Sequence, residues 1–211
     1  MAYHLDARKM GLEDVVQRLR GTDLIPSQLP LLEDLPDNIA ALERVGMVTV
    51  ADLRAAMKNP GMVQDLAKVS GVDADWLILL NRALKGFFPK PRPIKEFEWV
   101  SAPLRTQLKA EGLTNSELVF ETYSEALPEG GEVETLLATC DLCRIQWVSP
   151  SFARALVASG FVTAADLARA DPEDVATALA KVNVDGRFFK GKVGLRDIRR
   201  LVVAAQYAPQ S

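Results

Sequence analysis

The 211-residue chain has a single histidine, His4, and only two cysteines, Cys140 and Cys143. With so little histidine, no nucleophile–histidine–acid set can be read from it. A zinc site needs about four ligands, and one histidine with one cysteine pair falls short. Two cysteines are also too few for a disulfide scaffold, so a cytoplasmic, reducing setting is expected. A phosphate-binding loop of the GxxxxGK[ST] type is absent. No apolar run approaches the roughly 20 residues of a membrane span, and no signal-peptide pattern opens the chain. Surplus positive charge is lacking too, since 25 Lys and Arg against 28 Asp and Glu leave a net charge of −3 and a pI near 5.3. Non-specific affinity for nucleic acid comes mainly from phosphate neutralisation, so the overall charge speaks against it. These absences point to a non-catalytic protein with no cofactor, no metal site and no membrane partner.

What the chain does have is a repeated helical grammar. Hydrophobic content of 48% and charged content of 25% suit a soluble globular protein of one large or two small domains. From Arg144 to Leu167 the residues spell a helix end, a hairpin, a helix, a glycine turn and a new helix start. Ser149 and Pro150 suit an N-cap and first turn. Phe152, Ala155, Leu156 and Ser159 form one buried stripe, and Gly160 supplies the left-handed stop. Thr163 with Asp166 forms a capping box ahead of Leu167. Leu35–Leu53 repeats this pattern with Pro36, Leu42, Gly46, Thr49 and Asp52. Trp99–Leu118 repeats it with Gly112, and with Thr114 and Glu117 as the expected box. Recurrence with a glycine stop and capping residues predicts an all-α protein of tandem helical repeats.

Taken in order, residues 1–32 form an N-terminal helical arm, with Leu12, Val15, Val16 and Leu19 on its apolar face. His4 belongs to this arm as a packed or surface histidine. Residues 33–95 carry the first repeat, then helices starting at Pro60 and at the cap Asp73, with stops expected at Gly71 and Gly86. Pro89, Pro91 and Pro93 predict an extended linker with local basic charge. Residues 96–211 hold the second and third repeats. Their middle is acidic, Glu111 to Glu134 including Glu129, and reads as a solvated face around Gly130-Gly131. Cys140 and Cys143 lie towards a helix end rather than at the N-terminus that would activate a thiol, so both are expected in the core.

The last segment changes character. Arg187, Lys190, Lys192, Arg196, Arg199 and Arg200 face only Asp197, and Gly191 and Gly194 flank a helix start. Lys190, Gly191, Lys192, Gly194, Arg196, Arg199 and Arg200 are therefore candidates for holding phosphate, because a helix N-terminus with adjacent cations favours anions. The competing expectation is that these cations pair with the acidic middle of the chain.

The repeats resemble helix-hairpin-helix units. Through DLCRIQWVSPSFARAL, VNVDGRFFKGKVGLRDIRRLV and the opening YHLD, the chain over most of residues 3–208 resembles a bacterial family of tandem units classed as a domain of unknown function. DNA-binding helix-hairpin-helix proteins use a Gly-apolar-Gly hairpin whose N–H groups hold phosphate oxygens. The matching triplets here are Asp34-Leu35-Pro36, Trp99-Val100-Ser101 and Trp147-Val148-Ser149. Neither glycine survives in any of them, so the resemblance implies the fold but not phosphate binding at the hairpins. Trp99 and Trp147 are instead candidate anchors for a partner, since aromatic side chains dominate binding hot spots. The sequence thus predicts degenerate helix-hairpin-helix repeats acting as an interaction module. A protein partner comes first, and sequence-independent nucleic-acid or phosphorylated-ligand binding through 187–200 is the alternative.

Overall fold

Prolines mark where helices begin. In the computed structural model, which describes residues 1–126 and 131–209, Pro36, Pro60, Pro103, Pro150 and Pro172 all lie in the first turn of an α-helix. A missing N–H costs nothing there. The described residues form twelve α-helices and no strand, with only isolated bridges at Gly11–Thr49 and Pro93–Asn115. Among them no helix is long and apolar enough to cross a membrane. The chain divides into two compact units, Leu5–Phe87, and Met1–His4 together with Phe88–Ser211.

The first unit holds α1 (Leu12–Gly21), a 3-10 segment at Pro26–Leu32, α2 (Leu35–Arg44), α3 (Val50–Ala56), α4 (Pro60–Ser70) and α5 (Ala74–Phe87). α1 buries Leu12, Val15, Val16 and Leu19, as its apolar spacing predicts. Gly46 turns the chain between α2 and α3 at φ 88°. Thr49 then accepts the Asp52 N–H (3.2 Å) and Asp52 accepts the Thr49 N–H (2.8 Å), closing the capping box. Asp73 caps α5 by accepting the Trp76 N–H at 2.9 Å. Gly71 is the left-handed stop of α4, but Gly86 stops nothing. α5 runs through it to Phe87, and Pro89 then bars helical geometry at the residue before it.

The second unit contains a 3-10 segment at Ile94–Glu96, then α6 (Ala102–Ala110), α7 (Ser116–Tyr123), α8 (Gly131–Cys143), α9 (Pro150–Ala158), α10 (Ala164–Arg169), α11 (Pro172–Val182) and α12 (Leu195–Ala205), with a last 3-10 segment at Val184–Gly186. Glu129 and Gly130 lie outside the described residues. α8 packs on α7 and α9, and α12 packs on α10 and α11. Phe97, Leu108, Leu136, Cys140, Cys143, Leu156 and Leu167 are among the buried residues of this core. Burial pushes both thiols up, Cys143 to about 12. Tyr3 is fully buried with its hydroxyl 2.8 Å from Ser116 Oγ, and half-buried His4 meets the ring of Tyr3 edge-on at 4.8 Å.

Gly112 and Gly160, at φ 76° and 94°, join α6 to α7 and α9 to α10. Only glycine takes this left-handed turn without strain. The box of Thr163 and Asp166 forms as predicted, whereas the expected box of Thr114 and Glu117 does not. Asn115 caps α7 instead, accepting the Leu118 N–H at 3.0 Å. The reason is tertiary: the Thr114 carbonyl accepts the Ile94 N–H (3.0 Å), and the Arg92 carbonyl accepts the Ser116 N–H (2.8 Å). The extended proline stretch thus pins the turn and shifts the cap by one residue.

Candidate functional site

The turn between α8 and α9, the hairpin of the third repeat expected from the sequence, is built from its base upward. At the end of α8, Asp141 Oδ1 accepts from Arg144 Nε at 2.6 Å, and Asp141 Oδ2 accepts the Ala164 N–H at 2.7 Å. Arg144 lies over the Phe120 ring at 4.3 Å. Burial pushes the Asp141 carboxyl up, against the pull of Arg144 and the Ala164 N–H. Sequence reasoning missed this pair, although its three-residue spacing at a helix end was legible. It ties the chain entering the hairpin to the start of α10.

Beyond this base the chain makes a left-handed step at Trp147, φ 70°, and Asp34 makes the same step at φ 50° just before α2. Trp99 does not. For a bulky residue such a φ costs on the order of 1–3 kcal/mol and persists only when its surroundings fix it. Val148, 1% exposed, anchors one side of Trp147 in the core. Ser149 caps α9 through the Phe152 N–H at 3.3 Å. The Arg200 guanidinium lies over the Trp147 ring at 4.4 Å. Trp147 itself stays 45% exposed.

Between these parts lies a cleft of about 430 Å³. Trp147, Ser149 and Phe152 form one side, and Phe189, Gly191, Lys192 and Arg200 belong to the other. α12 makes this arrangement by burying Ile198, Leu201, Val202 and Ala205 while Arg196 and Arg199 stay exposed and Arg200 reaches the hairpin. Candidates from two separate sequence arguments, Trp147 and the basic segment, thus share one cavity.

The other predicted residues are placed differently. Lys190, Gly194, Arg196 and Arg199 lie outside the walls of this cleft. Gly194 gives its N–H to Asp197 Oδ2 at 3.0 Å, so the start of α12 is capped by its own carboxylate. Arg199 pairs with Glu173 at 3.5 Å, both side chains well exposed. Among the described residues, Lys190 and Lys192 pair with no carboxylate. The buried Nε of Arg200 has no hydrogen-bond partner among the described residues.

Trp99 lines a second cleft, of about 700 Å³, with Arg154, Arg187 and Phe188. Arg154 lies over the Trp99 ring at 5.4 Å, and Trp99 Nε1 is buried without a partner. The hairpin beside it is already occupied. The Ser101 N–H and hydroxyl donate to the two carboxylate oxygens of Glu132 at 2.5 and 2.8 Å. An anion at the start of α6 would have to displace that carboxylate. Among the described residues no group of three His, Cys, Asp or Glu side chains is placed to hold a metal ion.

Comparison with known proteins adds two findings. Residues 111–208, a little under half of the chain, match the family described as "Domain of unknown function (DUF4332)". That range contains the whole Trp147 cleft, whereas Trp99 falls outside it. A stretch of 68 residues, 32% of the chain, is 43% identical to DNA polymerase theta of Mus musculus. It covers only 2% of that protein's length. No solved structure matches.

Proposed function

We propose that the chain is a non-catalytic module that binds nucleic acid without reading its sequence, through the cleft beneath Trp147 and Arg200. The observation that carries this reading is that Lys192 and Arg200 on that cleft ion-pair with no carboxylate among the described residues, Asp197 being the acid on its lining. Arg200 rests on an indole rather than a carboxylate, Lys192 has no acidic partner among the described residues, and Asp197 is engaged with Gly194. An indole face beside a guanidinium and an ammonium suits a base stacked against a phosphate-neutralising wall. The partial likeness to a DNA polymerase agrees with a nucleic-acid partner. One ion pair of this segment, Arg199–Glu173, goes to α11 rather than to the acidic middle.

The test is titration of labelled single-stranded and duplex oligonucleotides at two salt concentrations, with Lys192→Gln/Arg200→Gln beside the wild type. Losing two phosphate contacts should weaken binding about tenfold and make the log–log salt slope shallower by about 1.4 for a single strand. Wild-type protein that binds neither probe at low salt would refute the reading.

A protein partner, which the sequence alone put first, is the second reading, favoured by a different cavity. A cleft of about 510 Å³ between α7, α8 and α9 is walled by Phe120, Leu137, Ala138, Val157 and Val162, with Glu134 on its lining. It suits an apolar side chain from a basic segment of a partner.

A further inference from the structure

Arg154 is half-buried, stacked on Trp99, and without a carboxylate in hydrogen-bond or ion-pair reach among the described residues. Long cations are seldom drawn out of water unless something pairs with them. Arg187 shares its cleft and lies over the Phe188 ring at 5.4 Å, so two guanidiniums line it together with Glu96 and Glu98, and among the described residues neither guanidinium is ion-paired. The nearby acids are accounted for in part. Glu96 reaches Arg92 at 3.9 Å and Glu132 is held by Ser101, while Glu98 stands exposed on the lining. The donor Trp99 Nε1, buried and unpartnered, adds a third group wanting an acceptor.

The position of this cleft matters as much as its content. It borders α9 at Pro150, Ser151 and Arg154, whereas the Trp147 cleft borders α9 at Ser149 and Phe152. Phe188 lines one and Phe189 the other, and Phe189 packs edge-on against Phe152 at 5.1 Å. Two clefts therefore flank the start of one helix, divided by adjacent phenylalanines. Each offers a tryptophan ring covered by an arginine. The duplicated Trp-Val-Ser of 99–101 and 147–149 supplies both rings.

We propose that the Trp99–Arg154–Arg187 cleft is a second phosphate site, and that the two clefts together hold an unpaired nucleic-acid strand rather than a duplex. This rests on the nucleic-acid reading of the Trp147 cleft and names its substrate class. An unpaired strand can turn a base onto the exposed ring of Trp147 while its backbone meets four cations, Arg154, Arg187, Lys192 and Arg200. In a duplex the bases are stacked and paired, and their faces are closed to that ring.

The test compares wild type, Arg187→Gln, Arg154→Gln/Arg187→Gln and Lys192→Gln/Arg200→Gln against an oligothymidylate of about 16 nucleotides and a duplex of equal length. Arg187 is exposed, so its single substitution leaves the fold intact; thermal melting checks the double variants. Wild type should prefer the single strand by tenfold or more. Arg154→Gln/Arg187→Gln should lose about tenfold in affinity for it and about 1.4 in salt slope, with Arg187→Gln showing about half that slope change. If Lys192→Gln/Arg200→Gln weakens binding but the Arg154 and Arg187 variants bind like wild type, the second site is overturned and the first stands. Equal or stronger binding of the duplex overturns the single-strand assignment. No binding by wild type overturns both proposals.

Discussion

Buried titratable residues have consequences that solution chemistry can read. Cys143 is held at about 12 by burial, against 9.0 for a free thiol, and Cys140 is also raised, by burial first and then by Cys143 and Asp141 beside it. At pH 8 the thiolate fraction of Cys143 is then roughly a thousandfold smaller than in the unfolded chain. A thiol reagent should therefore label neither cysteine in the native protein and both after denaturation. Fast native labelling of either would contradict the core placement. Tyr123 is likewise raised to about 12 by burial and by its hydrogen bond to Glu111. Both groups keep protons in the native state that the unfolded chain releases. Their contribution to stability is complete below about pH 9 and fades as pH rises towards 12. Urea midpoints should fall across that window, and flat midpoints would refute the shifts.

Helices are the scale at which the sequence was most informative. Glycine stops at Gly46, Gly112 and Gly160 and boxes at Thr49 and Thr163 depend on neighbours within a few positions, and all are found. The box at Thr114 failed because Arg92 and Ile94, far back in the chain, take that turn's backbone groups. Thr163→Ala should cost about 1 kcal/mol, whereas Thr114→Ala should cost under about 0.3 kcal/mol, since Asn115 caps α7. Denaturant midpoints separate the two, and equal losses would contradict the assignment. The same reasoning explains why the clefts were illegible. Trp99 and Arg154, or Trp147 and Arg200, meet only after the helices pack. The basic segment was visible as composition, but which of its cations would find carboxylates was not. Arg199 did, and among the described residues Lys192 did not.

Across the whole molecule, a net charge of −3 conceals a local cationic surface. Six basic residues against Asp197 occupy 187–200, and the amphipathic α12 turns one face into the core while others in the segment reach the hairpin rings. Acidic charge elsewhere limits long-range attraction to polyanions, so binding has to come from short-range stacking and pairing and to weaken steeply with salt. The most direct measurement is tryptophan emission during titration with an oligothymidylate, in wild type and in Trp147→Phe. A base stacked on the exposed indole of Trp147 should quench emission saturably in wild type, and most of that fall should vanish in Trp147→Phe. Emission that stays constant through saturating oligonucleotide, or falls equally in both proteins, would contradict the account.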